Sequence, residues 1–216
     1  KLFPFLDLGN IPIRNAEINQ NSKTVIPNLK ILVCKDCWHV QAGKVPLPDF
    51  YVKDYTYHTR FSKSVDSHFK YRAKQIIKKF KLNTKNLIMD IGGNDGTFLK
   101  HFKINNKKLK NLCVDPTFKT TRFAGKMGIK IFRVFFNTKT SKVIKKKYGS
   151  PKIILCTNTF GAINDMNEFV NALADLMDRD SIFIYENPYL LDTFKGLQFD
   201  TMYYEHISYF SVSPMY

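Results

Sequence analysis

Several features that define common protein classes are absent from this sequence. No apolar run reaches the ~18 residues that a membrane-spanning helix requires, and no signal peptide is visible, although the chain begins at Lys1 rather than Met. The four cysteines, at positions 34, 37, 113 and 156, form no dense disulfide framework. These absences argue against a membrane protein and against a disulfide-stabilised secreted domain, and we expect a reducing, cytoplasmic setting.

Arginine is sparse, although the chain as a whole is strongly basic. It has 34 Lys and Arg residues against 18 Asp and Glu residues, with a net charge of +16. The excess is nearly all lysine, whereas arginine is the better reader of bases and phosphates. Three explanations stay open: compositional drift towards lysine, a phosphate-bearing substrate, and nucleic-acid binding. The composition favours drift and places nucleic acid last.

The dinucleotide-binding fingerprint G-x-G-x-x-G is also missing, although a glycine-rich turn is present. Residues 87–91 form an apolar run that predicts a buried strand. Counted from Gly92, the second and third glycine places hold Asn94 and Thr97. An acidic residue at the strand end with glycines four apart resembles motif I of S-adenosylmethionine (SAM) dependent methyltransferases; the alternative is a plain connection. The cofactor-binding residues predicted here are Asp90, Gly92, Asn94, Asp95 and Gly96.

Strand and helix patterns then alternate along the chain to residue 186. Five strands separated by helices predict an α/β fold with a doubly wound, mostly parallel sheet, which binds ligands at the carboxyl ends of its strands. Asp115 ends the second strand, where a carboxylate can accept both hydroxyl protons of a ribose; a turn residue before Pro116 is the alternative. Asn137 and Asn158 also follow strands and are further cofactor-binding candidates.

The first 50 residues are punctuated by proline and show no persistent helical period. Cys34 and Cys37 form a C-x-x-C on a predicted strand and turn, which is the geometry of half of a tetrahedral zinc site. No second C-x-x-C follows, and His39 in an extended run is more typical of a packing residue. Zinc binding therefore stays open from the residues alone, whereas a redox function lacks its usual βαβ context.

Residues 51–61 are rich in tyrosine and phenylalanine, and they precede a predicted helix. This aromatic segment is either a packed connection or an arm that brings phenol hydroxyls to a substrate. From Ser62 onwards, apolar residues at helical spacing predict a helix that ends near Leu82, with lysines on its other face.

Near the end of the chain, Tyr203, Glu205 and His206 lie within four residues. Histidine is well suited to move a proton near neutral pH, a carboxylate can orient it, and tyrosine can donate to a developing enolate oxygen. Glu205 and His206 can share a pocket only on a loop or a helical turn, because neighbours in a strand point to opposite faces. A surface segment without catalytic function is the alternative.

The segment Asn187-Pro188-Tyr189 resembles the N-P-P-Y element of nucleic-acid amino-methyltransferases. Its second proline is missing, and it follows the fifth strand, whereas that element follows the fourth. Both differences count against methylation of a base.

At these residues the chain resembles the sugar C-methyltransferase family, whose members methylate a carbon of nucleotide-linked keto-deoxysugars. The most specific match is Phe199-Asp200-Thr201-x-Tyr203-x-Glu205-His206-x-Ser208-Tyr209-Phe210-Ser211, because generic SAM enzymes lack it. The other matches span nearly the whole chain in the family's order: Leu6 to Pro12, Cys34-x-x-Cys37, Tyr55-x-Tyr57, Asp90 to Thr97, Asp115-Pro116, Phe136-Asn137, Asn158 to Phe160 and Pro188 to Leu190.

The resemblance implies a zinc-ribbon-like N-terminal β domain, a Rossmann-like class I SAM-binding domain and a C-terminal domain that completes the sugar site. It implies His206 as the general base that removes the proton next to the sugar ketone. Tyr203 and Glu205 would support it, and Tyr57 or Tyr55 would contact the substrate. The implied ligands are SAM, a structural zinc and a nucleotide sugar, with nucleic acid and membranes not expected as partners.

The chain also departs from the family's pattern. The family's upstream C-x-x-C and its C-terminal domain would lie outside this sequence, so we expect a fragment that holds two of four zinc ligands, Cys34 and Cys37. Ala162 stands where the family often has a histidine, which removes a substrate-anchoring or proton-handling group. Tyr204 stands where histidine is common.

We therefore predict an incomplete zinc-binding domain at 1–50, an aromatic linker and helix at 51–82, and a SAM-binding methyltransferase domain at 83–216. The predicted activity is methyl transfer to the carbon next to the ketone of a nucleotide-linked deoxysugar. One alternative is a SAM methyltransferase acting on RNA or another small molecule, supported by the lysine excess alone. The other is a binding module whose SAM fold has lost catalysis, supported by Ala162 and the truncation.

Overall fold

The computed structural model describes residues 1–11, 28–44, 52 and 55–215. The chain forms two compact units. The first unit consists of Lys1–Tyr55, Asn158–Asn164 and Glu186–Tyr216, and the second consists of Thr56–Thr157 and Asp165–Tyr185. This division differs from the predicted one because residues 186–216, expected in the SAM-binding domain, belong with the N-terminal strands.

The elements of both units follow one another along the chain. The strands are β1 (Leu2–Asn10), β2 (Asn28–Cys34), β3 (Val40–Ala42), β4 (Leu87–Ile91), β5 (Lys110–Val114), β6 (Lys130–Phe132), β7 (Ile153–Thr157), β8 (Ile182–Glu186) and β9 (Ser208–Tyr209). The helices are α1 (Lys63–Lys79), α2 (Thr97–Asn105), α3 (Phe118–Lys126), α4 (Thr138–Tyr148), α5 (Met166–Leu176) and α6 (Leu190–Lys195). Short 3₁₀ turns lie at Thr59–Phe61, Phe160–Ala162, Phe199–Thr201 and Ser213–Met215.

The second unit is built on a five-stranded sheet with the order β6-β5-β4-β7-β8. Strand β4 pairs in parallel with β5 and with β7, and β5 pairs in parallel with β6. All five residues of β4 are buried, as expected for a central strand of a sheet that is covered by helices on both faces. The predicted doubly wound α/β sheet is confirmed.

Helix α1 packs on this sheet through the apolar face that the sequence predicted. Its Phe69, Ala73 and Ile76 are buried, and the Phe69 ring stacks on Phe98 of α2 with centroids 4.3 Å apart. The helix begins where the Ser62 hydroxyl accepts a hydrogen bond from the backbone of Val65, which satisfies one of the free N–H groups at a helix start. Helix α1 therefore belongs to the second unit.

The first unit contains a four-stranded sheet with the order β1-β2-β3-β9. Strand β9 pairs antiparallel with β3 through Val40–Tyr209 and Gln41–Ser208, so residues close to position 210 complete a sheet that starts at position 2. Its core combines N-terminal and C-terminal residues: Leu29, Ile31, Val40, Ala42, Leu190, Met202, Tyr204 and Tyr209. None of the helices in the described part of the chain has the length and hydrophobicity that a membrane span requires.

Candidate functional site

The glycine turn lies in the second unit, between the carboxyl end of β4 and the start of α2. Gly92 and Gly96 have φ values of +69° and +78°, which L-residues with a side chain rarely adopt. A Cβ atom on Gly93 would lie 2.8 Å from the Cys113 sulfur, and one on Gly96 would lie 2.7 Å from the Ala124 Cβ. The glycines therefore allow both the turn and the close approach of β5 and α3 to it.

Asp90 is the second-last residue of β4, just before the turn, and is only 2% exposed. Burial, together with the charge of Asp115, raises the pKa of Asp90 well above its usual value. Its Oδ1 is buried and has no hydrogen-bond partner within the part of the chain that the structure describes. A buried acceptor without a donor is costly, so this oxygen favours a ligand that donates a hydrogen bond to it.

Asp115 follows β5 and lies next to the same turn. Its Oδ2 accepts a hydrogen bond of 2.9 Å from the backbone of Asn94, and its Oδ1 accepts from the backbone of Thr117 at 2.8 Å and from the Thr117 hydroxyl. Burial raises the pKa of Asp115, while the Thr117 and Asn94 donors oppose that shift. Each carboxylate oxygen has two acceptor positions, so these bonds orient the group without using its full capacity.

The aromatic segment contacts the turn through its backbone, which the sequence did not indicate. The Asn94 side chain donates to the Tyr57 carbonyl at 3.0 Å and accepts from the Thr59 N–H at 3.3 Å. The Asp95 carboxylate accepts from the Arg60 N–H at 2.9 Å and from the Thr97 hydroxyl at 2.6 Å. The side chains of both predicted cofactor-binding residues therefore hold the segment 57–60 on the turn.

The remaining cofactor candidates are placed differently. The Asn137 Oδ1 accepts a 2.9 Å bond from the Thr140 N–H and caps α4, a local function that explains an asparagine at this position. Asn158 is exposed, with a φ of +53° and a backbone N–H that donates to the Glu186 carbonyl at 2.7 Å. Asn158 belongs to the first unit, whereas Asp90 and Asp115 belong to the second.

The predicted acid–base residues lie together on a tight turn of the first unit. The His206 N–H donates to the Tyr203 carbonyl at 3.0 Å, which closes a turn over positions 203–206 and brings the two side chains to one side. The Tyr203 hydroxyl lies 2.7 Å from Nε2 of His206, and the two ring centroids are 4.0 Å apart. Glu205 within this turn is only 4% exposed. Glu205 and His206 therefore lie on a turn rather than on a strand, which was the condition for the two side chains to share a pocket.

The hydrogen bonds of His206 define its tautomer. Its Nδ1 lies 2.9 Å from the carbonyl oxygen of Thr201, which can only accept, so Nδ1 carries a proton. In the neutral ring Nε2 is then the acceptor, and the Tyr203 hydroxyl donates to it. This arrangement suits a base whose lone pair is held in a fixed direction.

Asn187 lines the same pocket and is a candidate that sequence reasoning missed. Its Oδ1 accepts from the Gly161 N–H at 3.3 Å, while its Nδ2 is buried without a partner in the described residues. His206, Asn187 and Gly161 line a cavity of 10 Å³, about enough for one water-sized atom. No sequence signal distinguished Asn187, because its motif was weighed only as a base-binding element.

Comparison with known proteins shows to which family the chain belongs. Residues 65–215 match the family described as methyltransferase domain. The chain belongs to this methyltransferase family. It is 27% identical to the C-methyltransferase NovU of Streptomyces niveus over 199 residues. This alignment covers 92% of this chain and 47% of NovU. The chain thus spans about half the length of this curated relative.

Solved structures share the fold of this methyltransferase. A SAM-dependent methyltransferase from Archaeoglobus fulgidus superposes with a TM-score of 0.54 at 16% identity, covering 69% of this chain and 64% of the other. The plantazolicin methyltransferase BpumL, solved with a pentazolic desmethylPZN analog and SAH, gives a TM-score of 0.51 at 16% identity, covering 63% and 52%. The Rossmann-like fold predicted from the sequence is confirmed.

The described residues of this methyltransferase do not complete a zinc site. Cys34 ends β2 and Cys37 lies in the following turn, and the backbone N–H groups of Cys37 and Asp36 lower the pKa of Cys34. His39 lies 3.2 Å from the Ser208 hydroxyl and packs against Phe210, as expected for a packing residue. No cluster of three metal-ligating residues occurs in the described ranges, whereas a structural zinc needs four ligands.

Proposed function

We propose that this methyltransferase transfers the methyl group of SAM to the carbon next to the ketone of a nucleotide-linked deoxysugar. The observation that carries the proposal is the Tyr203–His206 contact, which leaves one imidazole nitrogen as a fixed hydrogen-bond acceptor. A carbon next to a ketone must lose a proton before it can be methylated, and such a nitrogen can take it. The 27% identity to a C-methyltransferase supports carbon as the acceptor atom.

The glycine turn supports SAM as the methyl donor. When bound, SAM supplies a methyl group with electrophilic character. The turn offers backbone that a ligand can approach closely, and the buried Asp90 Oδ1 lacks a donor among the described residues, which a cofactor ammonium or hydroxyl would provide. The residues of the second unit proposed to hold the cofactor are Asp90, Gly92, Asn94, Asp95, Gly96, Asp115 and Asn137.

The proton is proposed to pass to Nε2 of His206. The Tyr203 hydroxyl gives its own proton to Nε2 across 2.7 Å and takes the substrate proton in exchange. The electrons of the broken C–H bond remain on the substrate as an enolate, which is the nucleophile. Glu205 is proposed to support this turn, and Tyr57 to contact the sugar. Holding the two carbons in line supplies the main entropic contribution.

Asn187 is proposed to hold the substrate ketone oxygen. Its Nδ2 is a buried donor in need of an acceptor, and the cavity that it shares with His206 measures only 10 Å³. A single polar atom fits such a space, whereas a sugar ring does not. A donor at the ketone oxygen stabilises the negative charge that develops there as the enolate forms.

A structural zinc ion is proposed to be bound through Cys34 and Cys37. The lowered pKa of Cys34 supports a thiolate, which is the form that binds metal. The two further ligands would come from a longer chain, upstream of Lys1. Metal analysis of a protein extended at its N-terminus tests this, and less than one zinc per chain would contradict it.

The substitution His206→Gln in the full-length protein tests the proposed reaction. We expect turnover of dTDP-keto-deoxysugars to fall about 10²- to 10⁴-fold, while SAM affinity by calorimetry stays within about twofold. The matched control is His68→Gln, at an exposed position of α1, which should change neither quantity. Unchanged turnover in His206→Gln would exclude His206 as the base. Methylation of RNA in place of any sugar would favour the alternative substrate.

A further inference from the structure

A second polar pocket lies in the second unit, at the opposite ends of the strands from the glycine turn. It opens at the amino ends of β4, β5 and β6, between the last turns of α2 and α4, and has a volume of 240 Å³. The side chains that matter for its chemistry are Lys103, Lys107, Lys110, Lys130, Asn111 and Tyr148. Strands of five residues at about 3.3 Å per residue place this pocket on the order of 15 Å from the turn.

The charge of this pocket is of one sign. Four of its ten lining residues are lysines and none is acidic. Lys103 donates to the carbonyls of Met127 and Gly128, at 2.9 and 2.7 Å, and so neutralises the negative end of α3 that would repel an anion. Lys107, Lys110 and Lys130 are exposed and have no carboxylate partner in the described part of the chain. Three exposed lysines therefore line this pocket, with no acidic residue among its lining residues.

Asn111 provides a second feature that points to a ligand. It is only 7% exposed, and its Nδ2 donates to the Leu109 carbonyl at 3.2 Å. Because a carbonyl can only accept, the amide cannot be flipped, and its Oδ1 faces away from Leu109. That Oδ1 is buried and has no partner within the residues that the structure describes. Asn111 thus brings a buried acceptor without a donor among the described residues to the lining of this pocket, beside lysines that favour an anion.

We propose that this pocket binds a small sugar phosphate. The phosphate group lies among Lys107, Lys110 and Lys130, and a sugar hydroxyl donates to the Asn111 Oδ1. The volume of 240 Å³ is below the range of about 300–1,000 Å³ that holds drug-sized ligands, which selects a compact molecule over a nucleotide sugar. Tyr148 forms one wall, with the Lys130 ammonium 5.7 Å from its ring centre. The site is separate from the proposed methyl-transfer residues and does not depend on that function.

Calorimetric titration of the full chain with ribose 5-phosphate and with inorganic phosphate, at 150 mM salt, tests the lysines. The pocket variant is Lys107→Gln, Lys110→Gln and Lys130→Gln combined. The matched control is Lys63→Gln, Lys70→Gln and Lys74→Gln combined, which removes the same charge from exposed positions of α1. We expect the pocket variant to bind ribose 5-phosphate at least about tenfold more weakly, because charge-assisted hydrogen bonds are lost. The control should stay within about twofold.

The substitution Asn111→Leu tests the hydroxyl contact at nearly unchanged shape. It should weaken ribose 5-phosphate about five- to tenfold and leave inorganic phosphate unaffected. An equal loss of affinity for ribose 5-phosphate in the pocket and control triple variants would show that binding depends on diffuse charge attraction, and would overturn the proposal. So would a lack of saturable ribose 5-phosphate binding, or an Asn111→Leu variant that folds and binds both probes as before. The lysine variants change only exposed side chains. The comparison between the pocket and control triple variants therefore still tests the proposal if Asn111→Leu does not fold.

Discussion

The Tyr203 hydroxyl lies 2.7 Å from Nε2 of His206, on a turn that brings the two rings to a centroid distance of 4.0 Å. The second ring nitrogen of His206 is also fixed, because Nδ1 donates to the Thr201 carbonyl at 2.9 Å. These two hydrogen bonds orient the imidazole ring. Catalytic histidines are commonly oriented through the nitrogen that does not take the proton, and here a backbone carbonyl has that function.

Removal of the phenol hydroxyl by Tyr203→Phe should lower kcat by about tenfold or more, because the group that adjoins the proposed base is lost. The melting temperature should change little, since one partly buried neutral hydrogen bond contributes about 0.5–1.5 kcal/mol. Steady-state kinetics on a dTDP-keto-deoxysugar measures kcat and KM separately. The control is Tyr71→Phe, which removes an exposed hydroxyl that accepts from Gln75. A Tyr203→Phe enzyme that raises KM alone would assign the phenol to binding.

The substitution Gly96→Ala should destabilise the second unit strongly. Its φ of +78° disfavours any side chain, and the new Cβ would lie 2.7 Å from the Ala124 Cβ. We expect about 2–4 kcal/mol, the sum of backbone strain and overpacking. Gly9→Ala is the control: its φ is +69°, but nothing lies within 4 Å of the new atom, so backbone strain alone should cost about 1–2 kcal/mol. Equal losses in urea denaturation would contradict the close packing of α3 on the turn.

The substitution Asp90→Asn should stabilise the ligand-free protein at pH 7. Burial and the charge of Asp115 raise the pKa of Asp90 above 3.8, so the unfolded carboxyl loses its proton more readily than the folded one. The wild type therefore loses stability as the pH rises from about 4 through the raised pKa, whereas the Asn variant does not. The gain should vanish near pH 3.5, and SAM affinity should fall. Melting temperatures across pH 3.5–7 check it, and a constant or reversed difference would refute it.

The cysteines should differ in reactivity towards iodoacetamide at pH 7.5. Neighbouring backbone N–H groups lower the pKa of Cys34, whereas burial raises that of Cys113 and Cys156. Thiolates are the reactive form, so we expect Cys34 to be alkylated first and the two buried cysteines only after unfolding. Peptide mass spectrometry measures the order. Early alkylation of Cys113 in the folded protein would contradict its burial in β5.

The sequence predicted those features that depend on short, local patterns. The apolar run 87–91 forms the fully buried strand β4. Gly92 and Gly96 have the backbone conformation that glycine adopts most readily, and strands alternate with helices as expected. For Glu205 and His206, the sequence indicated only the condition that they can share a pocket on a loop or helical turn, and the structure has a turn at 203–206. Each of these inferences uses residues within a few positions of one another, where spacing determines which side chains share a face.

Contacts between distant segments could not be predicted from one sequence. The Tyr57 carbonyl and the Thr59 N–H bind Asn94 through backbone groups, and every residue type has these groups, so no pattern marks the contact. The Asn187 Oδ1 accepts from the distant Gly161 N–H, and its Nδ2 is buried without a partner among the described residues; neither fact follows from the local sequence. In the same way, no sequence pattern distinguishes Asn111. Only its burial in the folded chain leaves an acceptor without a partner among the described residues.

The sequence by itself determined the doubly wound sheet, the glycine turn with its strand-end carboxylates, and the types of residue available for proton transfer. Only the tertiary structure decided that β9 pairs with β3, which places residues 186–216 with the N-terminal strands. It also decided the tautomer of His206, through the Thr201 carbonyl. The physical reason is that periodicity encodes which face of an element is buried, whereas hydrogen-bond partners and burial of single polar atoms arise from segments far apart in the chain.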